Sequence, residues 1–107
     1  MRQHVIPETV VVVTEALDRA AVERWRHLIE DAGALAPERL VVDLQRVPWI
    51  DAAAIVLLLQ VHRTMVCADG RLILRSPAPR VRQMLRLARV DQVLEVEEQE
   101  NGEPAQQ

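Results

Sequence analysis

Few side chains in this chain have the chemistry of a nucleophile, a phosphate acceptor or a metal ligand. The hydroxyl and thiol candidates are Ser76, Thr9, Thr14, Thr64 and Cys67. The three histidines, at positions 4, 27 and 62, fall on different predicted elements, without HxxxH spacing or a second cysteine. A protein metal site needs three or four such ligands at compatible spacing. The sequence therefore predicts no bound metal, and Cys67 is interpreted as a small core residue.

Motifs that bind nucleotides or expose a catalytic serine depend on glycines in tight loops. This chain has three glycines, at positions 33, 70 and 102, and none belongs to a phosphate-binding, dinucleotide or G-x-S-x-G pattern. His62 and Arg63 are interpreted as part of a solvated helix face and not as a catalytic pair. We therefore expect a protein that is not an enzyme and that binds no cofactor.

The most informative stretch is Trp49–Leu59, WIDAAAIVLLL, where one acid precedes three alanines and an apolar run. An acid at this point commonly caps a helix, because its carboxylate accepts hydrogen bonds from amides of the first turn. Capping is the simplest role for Asp51. Trp49 fits a loop anchored in the core as well as it fits an exposed partner contact. The outward amides of a helix N-terminus also favour an anion, so an anion- or nucleotide-binding domain is a third, weaker alternative.

Composition indicates one soluble domain of 107 residues, half of them apolar and 27% charged. The longest apolar run, Ala52–Leu59, is far shorter than the roughly 20 residues that cross a bilayer. The N-terminus lacks the apolar region of a secretory signal. We therefore expect a cytoplasmic protein without membrane insertion. A net charge of -3 gives no reason to expect binding to nucleic acid.

Hydrophobic periodicity predicts alternating strands and helices. Strands are predicted at 9–14, 39–44 and 71–75, and helices after Asp18 with Gly33 as the stop, over Ala52–Ala68, and from Pro79. His4–Ile6 is predicted to pair with the first strand in an antiparallel hairpin. The fold class is α/β, with a mixed sheet that has a parallel core and this N-terminal antiparallel hairpin, packed by α-helices. The domain is predicted to span 1–96, and 97–107 to form an acidic disordered tail.

In a parallel α/β layer, the loops at the carboxyl ends of the strands meet along one edge, where partners and ligands bind. The loop before the central helix and the loop after the third strand both belong to this edge. The predicted partner-binding residues are Arg46, Trp49, Asp51, Ala52, Ala53, Ala54 and Ser76.

Four segments in the same order and spacing resemble one known family. They are Leu40–Leu44 (LVVDL), Val47–Asp51 (VPWID) before an apolar helix, Gly70–Leu74 (GRLIL), and Pro79–Leu85 (PRVRQML). The segment Glu15–Asp18 (EALD) is similar to the G-E-L-D segment of the same family. From about Thr9 to Val96, the chain resembles a STAS domain, as found in bacterial anti-sigma factor antagonists.

The resemblance implies a function and a departure from it. In that family the central helix starts with an Asp-Ser-Ser-Gly-like motif, and a partner anti-sigma kinase phosphorylates the first serine. Here the equivalent residues are Asp51-Ala52-Ala53-Ala54, so Ala52 occupies the phosphoacceptor-equivalent position and cannot be phosphorylated.

The resemblance thus implies a regulator that binds a kinase-like anti-sigma factor and lacks the phosphorylation switch. The alternative is a STAS subunit of another cytoplasmic assembly, such as the partner of a lipid-transport ABC ATPase or a stress-signalling scaffold. A second copy of the chain, which would form a homodimer, is a further possible partner.

Overall fold

The computed structural model describes residues 7–98, which form four strands and three helices in strict alternation. In chain order these are β1 (Glu8–Val12), α1 (Arg19–Ala34), β2 (Arg39–Asp43), α2 (Ala52–Cys67), β3 (Arg71–Arg75), α3 (Pro79–Leu87) and β4 (Glu95–Glu97). The strands form one sheet in the order β1-β2-β3-β4. The predicted single α/β domain packed by helices is confirmed.

Every strand pairing among the described residues is parallel. Thr9 lies opposite Leu40 and Leu40 opposite Leu72, while β4 continues the sheet beside β3. A helix between consecutive strands returns the chain to the start of the sheet, so neighbouring strands run in the same direction. The prediction of a mixed sheet with an N-terminal antiparallel hairpin is therefore wrong. The predicted partner strand, His4–Ile6, lies outside the described residues.

One face of the sheet forms the hydrophobic core with the helices. Alternate residues of β2 and β3 point to this face, because side chains alternate along a strand. They meet the buried faces of α1 and α2, and the core includes Leu40, Val42, Leu72, Leu74, Val22, Ile29, Leu57, Leu58, Val61 and Met65.

The opposite face of the sheet is covered by an ion-pair network. Arg39 contacts Glu8 at 3.2 Å and Glu97 at 3.1 Å, while Arg75 contacts Glu97 at 3.0 Å and Glu8 at 3.6 Å. The two arginine side chains therefore reach both edge strands across this face. The apolar residues between them, Val41 and Ile73, are 0% exposed, although within residues 7–98 they do not belong to the core cluster that the helices form with the other face.

Glu97 belongs to the sheet. The sequence predicts Glu97 to be the first residue of the acidic tail, but in the structure Glu97 is the last residue of β4. The hydrogen bond from Arg75, with that from Arg39, holds the pKa of its carboxyl below the ordinary value of 4.5.

The helix ends agree with the sequence at some residues and not at others. Asp18 caps α1 as predicted, since its carboxylate accepts from the Ala21 amide at 2.8 Å. Gly33 does not stop α1, which continues to Ala34, and the left-handed residue that follows is Ala36 with φ 53°.

Cys67 is exposed. The prediction that it is a core residue is wrong, because the buried stripe of α2 passes through Val61 and Met65 and misses position 67.

Two glycines give opposite expectations for substitution by alanine. A Cβ at Gly33 meets Leu40 Cδ2 at 3.6 Å and Met65 Sδ at 3.7 Å, which are ordinary contacts. Because glycine destabilises a helix interior, Gly33→Ala should raise the free energy of unfolding by about 0.5–1 kcal/mol. A Cβ at Gly70 meets Met65 Cε at 2.8 Å and the Pro37 carbonyl oxygen at 2.9 Å. Gly70→Ala should therefore cost about 1–3 kcal/mol through overpacking.

Urea denaturation of the two variants checks this pair of expectations. If Gly70→Ala is as stable as the wild type, the tight turn between α2 and β3 is not packed as described.

Candidate functional site

The loops that follow the strands meet at the carboxyl edge of the sheet, as predicted. The Val13 amide donates to the Asp43 carbonyl at 3.1 Å, and the Leu44 amide to the Arg75 carbonyl at 3.0 Å. The Ser76 amide donates to the Glu97 carbonyl at 2.8 Å. Each loop therefore leaves the sheet beside its neighbour, and the predicted site residues share this edge.

A second pairing joins the β1–α1 loop to the loop that precedes α2. The Leu17 amide donates to the Trp49 carbonyl at 3.1 Å, and the Asp51 amide donates to the Leu17 carbonyl at 3.1 Å. Leu17 is 0% exposed and Ile50 is 2% exposed, so the bridge is anchored in the core. The sequence analysis did not assign this role to Leu17. Its position in the G-E-L-D-like segment was the only signal.

Glu15 fastens the same β1–α1 loop to the side of α1. Its carboxylate accepts from Arg24 Nη2 at 2.8 Å and from Trp25 Nε1 at 2.7 Å. These hydrogen bonds, first that of Arg24 and then that of Trp25, hold the pKa of the Glu15 carboxyl below its ordinary value of 4.5. Glu15 therefore positions the loop that supports Asp51, a role that its sequence spacing from Trp25 did not reveal.

Asp51 caps α2, as predicted. Its Oδ1 accepts from the Ala53 amide at 2.9 Å and from the Ala54 amide at 3.4 Å. The carboxylate thus satisfies amides that would otherwise be free to bind an external anion. This geometry weakens the interpretation of the helix N-terminus as a phosphate or nucleotide site.

The three alanines after Asp51 have different environments. Ala52 is exposed, Ala53 is half-buried, and Ala54 is 0% exposed and belongs to the core. Ala54 was predicted as a partner-binding residue, but its side chain points inward and offers no surface to a partner. The accessible surface at the start of α2 is therefore the methyl group of Ala52, with part of Ala53.

The remaining site residues differ in how closely they are tied to Asp51. Arg46 is exposed and Trp49 is half-buried, and both lie in the loop that leads to Asp51. Ser76 is half-buried with φ 49° and follows β3. The Ser76 amide donates a hydrogen bond to the Glu97 carbonyl on the β4 side of the sheet, whereas the Asp51 amide donates to the Leu17 carbonyl on the β1 side. Trp49 and Ala52 therefore lie beside Asp51, whereas Arg46 lies in a loop whose first residue, Leu44, is hydrogen-bonded to the Arg75 carbonyl before Ser76.

The described part of the chain offers little for other kinds of site. Among residues 7–98, no three His, Cys, Asp or Glu side chains are grouped as a metal site requires. Within the same range, no helix has the length and apolarity needed to span a bilayer. A cavity of about 260 Å³ lies between α1 and α2, lined by Ile29, Gly33, Val61 and Met65 with Glu30, Gln60 and Thr64. These residues belong to the second halves of both helices, away from Ala52.

Asp51 can be tested as a cap and as a contact by separate substitutions. Asp51→Ala removes the acceptor for the Ala53 and Ala54 amides and should lower the free energy of unfolding by about 0.5–2 kcal/mol. Asp51→Asn keeps a capping oxygen and should cost much less. Chemical denaturation measures both effects. Equal stability of the alanine variant and the wild type would contradict the capping role, whereas weakened partner binding by a stable Asp51→Asn variant would assign a contact as well.

Comparison with known proteins agrees with this architecture. A family model described as the STAS domain matches residues 2–102. No curated protein sequence matches the chain well enough to count as a relative.

Solved structures give the same assignment of fold. The anti-sigma factor antagonist SpoIIAA in its unphosphorylated form has 23% identity and a TM-score of 0.76, over 94% of this chain and 86% of that one. An anti-sigma factor antagonist (STAS) domain protein from Planctomyces limnophilus has 21% identity and a TM-score of 0.76, over 85% and 82%. The Bacillus cell fate determinant SpoIIAA in its phosphorylated form has 21% identity and a TM-score of 0.69, over 94% and 89%. Because the STAS family model matches residues 2–102 of this chain, the chain belongs to the STAS domain family.

Proposed function

We propose that this protein is a non-enzymatic, cytoplasmic protein-binding regulator that acts as an anti-sigma factor antagonist without a phosphorylation switch. The observation that carries the proposal is the exposed methyl group of Ala52 at the first residue of α2, beside the capping carboxylate of Asp51. In the family motif, this position follows the same acid and carries the phosphorylated serine.

The missing hydroxyl has a direct electrostatic consequence. A phosphoserine adds about -1.5 to -2 charges and three acceptor oxygens, and in this family that change releases the partner. No Ser, Thr or Tyr occurs between Val47 and Arg63. Position 52 therefore keeps the uncharged side chain that is typical of the unmodified, binding-competent state. SpoIIAA, by contrast, has been solved in both an unphosphorylated and a phosphorylated form.

The proposed contact surface consists of Arg46, Trp49, Asp51, Ala52 and Ala53, with Ser76 at its margin. A half-buried tryptophan and an exposed arginine are residue types that contribute strongly to protein interfaces. The small methyl group of Ala52 allows a partner to approach the first turn of α2 closely. The expected partner is a kinase-like anti-sigma factor.

A STAS subunit of another assembly, such as the partner of a lipid-transport ABC ATPase or a stress-signalling scaffold, is the second candidate. The same absence of a hydroxyl favours it, because a permanent structural subunit needs no phosphate-dependent release. The two candidates differ in their partner and in the response of the complex to ATP.

The test is to mix the protein with the kinase-type anti-sigma factor of its own organism, with and without ATP. We expect a complex that survives ATP addition, and phosphopeptide mapping should find no phosphate between Val47 and His62. A phosphate in that window, or release of the partner on adding ATP, would contradict the proposal. Absence of binding, together with stable co-purification with an ABC ATPase, would favour the second candidate.

A further inference from the structure

The arginines of this chain are unevenly distributed. Residues 70–90 contain six of the 13 basic residues and none of the 16 acidic ones, although the whole chain has a net charge of -3. Three of the six are neutralised from elsewhere. Arg71 and Arg75 pair with glutamates of the sheet, and Arg82 pairs with Glu98. The other three have no ion-pair partner within residues 7–98.

Those three arginines, Arg80, Arg86 and Arg89, are exposed on or just after α3. At 3.6 residues per turn, each residue of a helix is rotated by about 100° from the one before. Val81 and Leu85 point into the core, so Arg80, Arg86 and Leu87 point outward. Leu87 lies one residue beyond Arg86 along the helix and is rotated from Arg80 by only about 20° around the axis. We call these three residues with Arg89 the α3 arginine face. Leu87 is 72% exposed, more than any other large apolar residue of the described chain.

Helix stability does not account for the position of Arg80. The N-terminal turn of a helix carries partial positive charge, which favours acidic side chains there and disfavours basic ones. The first turn of α3 contains Arg80 and no acid, and no side chain caps it. Arg86, in the last turn, has the favourable position. The charge at Arg80 therefore needs an explanation outside α3.

We infer that the α3 arginine face binds an acidic segment of another protein, in which carboxylates pair with Arg80 and Arg86 and an apolar side chain packs on Leu87. Arginine pairs with carboxylates through two parallel hydrogen bonds, and the exposed Leu87 next to Arg86 adds apolar contact at the end of α3. The two arginines are separated by roughly 9 Å along the helix axis and by about 120° around it, so the carboxylates that they bind should be at least this far apart. This binding is separate from the contact proposed at Ala52 and does not depend on it.

The observations favour a protein over a nucleic acid or a membrane. Single-stranded nucleic acids bind on aromatic side chains, and the α3 arginine face has none. An amphipathic helix binds a membrane through its apolar face, but in α3 that face is buried within the domain through Val81 and Leu85. An acidic protein segment matches both the charge and the single exposed leucine.

The experiment uses a fluorescein-labelled synthetic peptide that repeats Glu-Ala-Leu-Glu-Ala, with an otherwise identical peptide in which glutamine replaces glutamate. Fluorescence anisotropy with the full-length protein should show binding of the acidic peptide at low salt, weaker binding at high salt, and no binding of the glutamine peptide. The double variant R80E/R86E should lose at least tenfold in affinity, and Leu87→Ser about threefold.

The matched control is R19E/R63E. It changes the net charge equally and replaces two exposed arginines, on α1 and α2, that also have no ion-pair partner within residues 7–98. It should change affinity less than threefold. Equal losses for the two double variants would show that net charge alone is measured and would overturn the inference. Tighter, R80E/R86E-sensitive binding of poly(U) RNA or of phosphatidylserine vesicles would overturn it in favour of those ligands. Circular dichroism confirms that each variant is folded.

Discussion

Replacing Ala52 with glutamate is expected to weaken partner binding by orders of magnitude while the domain remains folded. Ala52 is exposed at the first position of α2, so the longer side chain meets no core residue. A negative charge near a helix N-terminus is favourable by about 0.3–1 kcal/mol. In the complex, however, a partner surface that fits a methyl group must bury an unpaired carboxylate, and such a charge costs about 3–5 kcal/mol. Calorimetric titration with the partner measures the loss.

Ala52→Ser is the matched control for this result. It restores the hydroxyl of the family motif with almost no change in volume, and it should bind the partner nearly as well as the wild type. If Ala52→Glu also binds with wild-type affinity, the partner does not contact the start of α2. If the serine variant fails as badly as the glutamate variant, added charge is not the cause. Incubation of Ala52→Ser with the kinase and ATP then asks whether the switch returns.

Replacing Leu17 with alanine is expected to cost about 2–5 kcal/mol of stability, the usual range for a buried leucine truncated to alanine. Leu17 is 0% exposed, and its backbone forms both hydrogen bonds to Trp49 and Asp51. The cavity left by the side chain would lie directly beneath the bridge between the two loops. We therefore expect the variant to unfold at a much lower urea concentration and, where still folded, to bind its partner less tightly.

Leu87→Ala provides the comparison, because the same atoms are removed from a side chain that is 72% exposed. It should change stability by less than about 0.5 kcal/mol, as expected for surface substitutions. A loss for Leu17→Ala no larger than that of Leu87→Ala would mean that Leu17 does not anchor the loops. Partner binding unaffected by a large stability loss would limit the bridge to a role in folding.

The sequence by itself determined the elements whose signals are local. Strand β3 was predicted with the observed bounds, and α2 to within one residue at its C-terminus, because hydrophobic periodicity and turn residues mark them directly. The caps Asp18 and Asp51 were also predictable, since a carboxylate bonds to amides two or three residues away. The absence of a hydroxyl at position 52 is likewise a property of the sequence alone.

Only the tertiary structure decided which segments meet. A strand signal does not specify its partner, so the direction of pairing of β1 followed from the crossover through α1 and not from the turn before it. The same holds for the Leu17–Ile50 bridge, which joins residues far apart in the chain. It also holds for Glu15 with Trp25, whose contact depends on how the β1–α1 loop folds back against α1. Whether a particular side chain is buried also depends on the packing of the whole domain. Ala54 faces the core and Cys67 does not, because the rotation of α2 is set by the packing of all its apolar residues against α1 and β3.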